Sequence, residues 1–70
     1  MKTSEVKFKE TLKAEMDKAS LSSLGLSRAL GVDEDRVLAF LDGSKEPTFQ
    51  ELRLLSHIFL VSIDYLVKGE

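Results

Sequence analysis

Apolar residues recur at helical spacing along most of this chain, and no stretch alternates like a strand for long. From roughly Ser4 to Ala19, the residues Phe8, Leu12, Met16 and Ala19 follow one another at steps of 4, 4 and 3. They draw one apolar stripe on a first helix whose other faces carry lysine and glutamate. Ser20 to Ser23 is a polar break, with Ser22 as the N-cap candidate of a second helix that runs to Leu30. Gly25 inside that helix costs about 1 kcal/mol relative to alanine and leaves its start open. Gly31 ends it, and Asp33 reads as N-cap of a third helix with Val37, Phe40 and Leu41 as its buried stripe. Asp42-Gly43 stops that helix, "SKEP" is a turn, and Pro47 cannot continue a helix interior. Thr48 and Glu51 are spaced as a capping box before a fourth helix whose inner face is Leu52, Leu55 and Phe59. Ser62 caps a short fifth helix, "IDYLV", which ends near Gly69. The pattern predicts an all-α protein: five helices with short connections in an orthogonal bundle, one domain over residues 1–70.

Composition narrows the function classes. Seventy residues bury a modest fraction of their surface and leave a thin stability margin. With no cysteine there is neither a disulfide framework nor a cysteine zinc site, and a single histidine, His57, cannot build a metal site. A hydrophobic fraction of 43% suits a globular chain. No apolar run approaches the ~18 residues of a membrane span. The N-terminal "MKTSEVKFKE" lacks an apolar signal region. A cytoplasmic protein is expected. A net charge of −2 argues against holding nucleic acid by bulk charge. There is no nucleophile–base–acid set, no glycine-rich phosphate loop after a strand and no metal constellation, so an enzyme has no support. Neither a cofactor nor a small-molecule substrate is expected.

Several segments together resemble the lambda-repressor-like helix-turn-helix family, of the Cro and phage-repressor type. "LSRALGV", Leu26 to Val32, resembles the family's L-A-x-x-x-G-V, and Val37 and Phe40 fall at its buried positions. "DGSKEPT" resembles N-G-x-x-x-P-S, and "VSIDYLVKG" resembles the closing V-S-x-D-x-L-x-x-G. The match runs without a gap from Leu12 to Gly69, and the joint spacing of Gly31, Gly43, Pro47 and Tyr65 is its specific part. The resemblance implies a helix-turn-helix core at about residues 22–42, made by the second and third helices. Ser27 is small enough for those helices to cross closely, and Gly31 permits the tight turn. In such a fold the third helix enters the major groove, while the start of the second helix and the loop after the third hold phosphates. The resemblance carries the base-facing or partner-facing role to Glu34, Asp35, Arg36, Leu38 and Ala39, with Asp42 on the same helix. It carries phosphate contacts to Ser22, Ser23, Ser44 and Lys45, with Arg28 beside the backbone.

The chain departs from that pattern in three ways. From Asp33 to Glu46 there are five acids against two bases, where a DNA reader gathers lysine and arginine to neutralise phosphates. Ser23 replaces the glutamine that the family commonly offers to DNA. Leu24, Leu38, Leu54 and Leu60 stand where the family is usually polar or glycine. Leu38 lies about 100° round the helix from Val37, towards the partner-facing side. Met16 and Leu41 replace a frequent arginine–glutamate pair of the first and third helices, an exchange that makes sense only where those helices touch.

Two functions from different classes follow. One is a protein-binding regulator of the phage or plasmid-switch kind, an antirepressor or repressor modulator. Its acidic third helix, centred on Leu38, would dock on a basic DNA-binding repressor. The other is a Cro-like dimer that binds operator DNA through the third helix, with Arg36 as its strong contact. An antitoxin-like or purely dimeric module stays open beside them. Each singled-out residue also has a plain structural reading. Asp33, Glu34 and Asp35 suit a helix start because acids complement its dipole. Single exposed leucines are ordinary, Arg36 can pair with a nearby acid, and the lysines of the first helix form a solvated face.

Overall fold

The computed structural model describes residues 3–69, with side chains over residues 7–69. The outermost residues of the 1–70 domain reading, 1, 2 and 70, lie outside the described residues. Five helices follow in order: α1 (Thr3–Ala19), α2 (Ser23–Leu30), α3 (Glu34–Asp42), α4 (Phe49–Phe59) and α5 (Ile63–Lys68). Their boundaries follow local hydrogen-bond chemistry. Ser22 Oγ accepts from the Gly25 N–H at 3.0 Å, so α2 begins before Gly25. A methyl group added at Gly25 would stand 3.0 Å from Leu21 Cδ1 and 3.3 Å from Ser22 Oγ, so the glycine leaves room for the cap. The capping box of α4 is complete: Thr48 Oγ1 accepts from the Glu51 N–H, and Glu51 Oε1 accepts from the Thr48 N–H. Ser62 Oγ accepts from the Tyr65 N–H and opens α5. Asp33 occupies the cap position of α3 with extended backbone, but its side chain makes no capping bond. The exposed carboxylate stays with solvent, while Glu34 and Asp35 complement the helix dipole.

The turn between α2 and α3 depends on Gly31. With φ +76°, its own N–H and that of Val32 both donate to the Ser27 carbonyl, closing the helix end as the chain reverses. Ser27 is buried where α2 meets α3, and its hydroxyl donates to the Leu24 carbonyl at 2.7 Å, so this polar group is satisfied. Leu60 adopts the same left-handed conformation at the end of α4, with φ +57°.

The core comprises Phe8, Leu12 and Met16 of α1, Leu26 and Leu30 of α2, Val37 and Phe40 of α3, Leu55 of α4 and Leu66 of α5. Phe8 and Phe40 meet edge to face with centroids 5.9 Å apart, so α1 and α3 do touch. Met16 is buried and Leu41 packs half-buried against the core, as expected for an apolar exchange on those two helices. Three expectations need correction. Ala19 is exposed at the end of α1. Leu41, Leu52 and Phe59 are half-buried, lining the core rather than filling it. The inner face of α1 also holds two polar residues, Thr11 and Glu15. Glu15 tolerates burial because Tyr65 Oη donates to its carboxylate at 2.8 Å and Lys18 Nζ lies 3.2 Å away, which ties α1 to α5.

Candidate functional site

Helix α3 turns Val37 and Phe40 inward, with Leu41 half-buried against the core, and exposes Glu34, Asp35, Leu38 and Asp42. Glu34, Leu38 and Asp42 stand four residues apart and share one row, with Asp35 beside them at three residues from Leu38. All four side chains are exposed, Leu38 to 44%. Ala39 is half-buried, and its carbonyl accepts from the Ser44 and Lys45 N–H groups, so it anchors the following loop.

Arg36 is the one base in α3, and the fold directs it sideways. Its Nε and Nη2 donate to the two carboxylate oxygens of Glu51 at 2.5 and 2.8 Å, and its guanidinium carbon lies 5.0 Å from the Phe40 ring centroid. Glu51, largely buried at the start of α4, receives the Thr48 N–H as well. The hydrogen bonds from Arg36 hold the Glu51 carboxyl below the usual carboxylate range, and the same bonds raise the Arg36 guanidinium above its ordinary value. Arg36 therefore joins α3 to α4 while its side chain stays partly exposed and lines an open groove with Asp33, Asp35 and Lys45. The sequence reading took Glu51 only as a capping residue and missed this second role. The weak available signal was a capping-box acid that could also meet an arginine.

The phosphate candidates separate in the same way. Ser23 Oγ donates to Glu34 Oε2 at 2.7 Å, linking the first turns of α2 and α3, so that hydroxyl faces a carboxylate. Ser22 Oγ is taken by its own helix end. The Ser44 N–H donates to Asp42 Oδ1 at 2.7 Å, and hydrogen bonding from Ser44 lowers the Asp42 carboxyl below its ordinary range. Arg28 and Lys45 are exposed, and neither enters an ion pair among the described residues. Phe49, exposed to 67% at the first position of α4, is an apolar surface residue that periodicity did not single out. Among the described residues no group of three or more histidines, cysteines, aspartates or glutamates could hold a metal, and no helix is long and apolar enough to cross a membrane.

No protein-family profile matches this chain. It is similar to the uncharacterized HTH-type transcriptional regulator YqaE of Bacillus subtilis (strain 168), with 36% identity over 63 residues that cover 90% of this chain and 54% of the relative. The fold is similar to the solved structure of a transcriptional regulator from Listeria innocua, with a TM-score of 0.83 and 28% identity over 90% of this chain and 58% of that one. The chain thus spans little more than half the length of either protein. These likenesses are consistent with a helix-turn-helix family.

Proposed function

We propose that this chain is a small transcription regulator of the lambda-repressor-like kind that acts mainly through protein contact, as an antirepressor or modulator of a basic DNA-binding repressor. Its likeness to an HTH-type transcriptional regulator and to a second transcriptional regulator of solved structure supports the regulatory part. The mode of action rests on one observation. The only base of α3 is bound to Glu51, leaving a row of Glu34, Leu38 and Asp42 with Asp35 beside it. Phosphates would meet carboxylates on that row, and a protein that neutralises few phosphates gains little of the counterion-release affinity that DNA binding draws on. A basic surface, such as the DNA-reading face of a repressor, is complementary to it. There the acids steer encounter, and Leu38 supplies an apolar centre inside a charged rim.

The test is an electrophoretic shift series with DNA from the adjoining intergenic region, run with and without the repressor encoded beside this protein. Loss of the repressor's shift is expected. Leu38→Asp should abolish the complex with that repressor while the helical circular dichroism signal stays intact. Direct, sequence-preferring binding of DNA by this chain at low salt would overturn the protein-contact reading and favour an operator-binding, Cro-like dimer. A repressor complex that survives Leu38→Asp would show that the docking centre lies elsewhere.

A further inference from the structure

We propose that the corner where α4 ends, built on Leu60, docks on the outer row of α3 in a second copy of this chain. Leu60 is the most exposed large apolar residue among the described residues, at 89%. It also holds left-handed backbone, φ +57°, which glycine adopts far more readily. It takes no part in the core. Exposure alone is ordinary for one leucine. Exposure joined to strained backbone is not, and a contact made outside the chain accounts for both.

Charge selects the occupant. Arg53, His57 and Leu60 follow at steps of four and three, so they share one side of α4, and all three are exposed. The only acid of α4, Glu51, is buried against Arg36, and Asp64, the next acid along the chain, complements the start of α5. The α3 row is the reverse: Leu38 lies between Glu34 and Asp42, with Asp35 beside it. Two α3 rows face to face would set acid against acid. Leu60 against Leu38 instead sets Arg53 and the His57 N–H against carboxylates. The register agrees. At a rise of about 1.5 Å per residue, His57 stands about 4.5 Å before Leu60 and Arg53 about 10.5 Å. On a parallel α3, Asp35 and Glu34 stand about 4.5 and 6 Å before Leu38, between those two donors. α4 starts at its bond to α3 and runs about 13.5 Å from Glu51 to Leu60, so the two surfaces are separate and one copy can use both. Such a head-to-tail contact stays open unless it closes as a ring. Two leucines and a few polar groups make a small interface, so the dissociation constant is on the order of 0.1–1 mM.

The contact rests on the same reading of the α3 row as the proposed docking function, because a copy seated there covers Leu38. Its test uses the chain alone, with no repressor, so either can fail without the other. Sedimentation velocity and amide chemical shifts are followed while the full chain is diluted from millimolar to micromolar concentration. The expected result is a mass above that of the monomer that falls on dilution. Concentration-dependent shifts should appear both on the α3 row and on the Arg53–His57–Leu60 side of α4. High salt should weaken the association. Leu60→Gly, which relieves the left-handed strain, and Leu38→Asp, at an exposed position, should each weaken it about ten-fold or more, with circular dichroism confirming the fold. Mixed in equal amounts, the two variants should form a one-to-one dimer that grows no further, since each keeps the face that the other lacks. The proposal is overturned by a native chain that stays monomeric at millimolar concentration, by shifts confined to one of the two surfaces, or by a mixture that stays monomeric. Association that Leu38→Asp leaves undiminished would mean that α4 pairs with α4, and would overturn it as well.

Discussion

Replacing Glu51 by glutamine tests the junction that ties Arg36 of α3 to the start of α4. The substitution keeps size and shape. It preserves an oxygen able to accept from the Thr48 N–H, but it places an amide N–H₂ or a neutral oxygen before the guanidinium. A hydrogen bond to a charged partner contributes about 1.5–3 kcal/mol where solvent is excluded. Here the Glu51 side chain is 11% exposed and that of Arg36 30%, so solvent screens part of the pair. The expected loss is about 1–2 kcal/mol. In a domain of this size each kcal/mol moves the melting temperature by about 4–8 °C, so thermal denaturation followed by circular dichroism should show a fall of roughly 8 °C. Arg36→Met keeps an apolar stem near Phe40 and removes the charge. The double variant should then cost about 1 kcal/mol less than the two single losses together.

The pH dependence supplies an independent check. The Glu51 carboxyl is held below its unfolded value of 4.5, with Arg36 as the largest cause. The folded state therefore binds fewer protons at this site than the unfolded state between the two values. The stabilisation is fully present above 4.5 and disappears as pH falls through the lower, folded value. The stability gap between the native chain and Glu51→Gln should stay constant near neutrality and close in acid. A Glu51→Gln protein within about 0.3 kcal/mol of the native chain would refute the proposed role of the ion pair. So would a gap that does not change with pH, or strictly additive losses.

Tyr65→Phe removes the hydroxyl that donates to the buried Glu15 and should lower the melting temperature without changing helix content, as read by circular dichroism. The same bond raises the Tyr65 hydroxyl above its ordinary value of 10.0, so the native chain should lose stability as pH rises from that value towards the folded one. Tyr65→Phe should lack that alkaline decline, and an identical decline in both proteins would discount the bond. Leu60→Gly should stabilise the chain by about 0.5–1 kcal/mol, seen as a higher urea midpoint, because it relieves a left-handed conformation. The leucine being replaced has φ +57° and is 89% exposed. A lower midpoint would mean that Leu60 contributes packing that its exposure conceals.

The readable parts of this fold were those whose partners lie within a few residues. Ser22, Thr48 with Glu51, and Ser62 each meet an N–H three residues on, and Gly31 and Gly43 end helices through left-handed backbone, so spacing alone locates them. The unreadable parts are long-range pairings between polar side chains. Glu15 and Tyr65 are 50 residues apart, and Arg36 and Glu51 are 15 apart. Helical periodicity treats such residues as solvent-facing by default, which is why Glu15 and Glu51 were not expected inside. The same omission bears on the candidate site. In the linear sequence Arg36 sits among Glu34, Asp35 and Asp42 and softens their charge. In the fold it bonds Glu51 of α4 and still borders Asp33, Asp35 and Lys45 in an open groove, while Glu34, Leu38 and Asp42 form the exposed row beside it. The positive charge that Arg36 brings to this surface is therefore partly balanced by Glu51 at the start of α4. A change at Glu51, itself nearly buried, should alter what α3 offers a partner as effectively as a change on α3 itself.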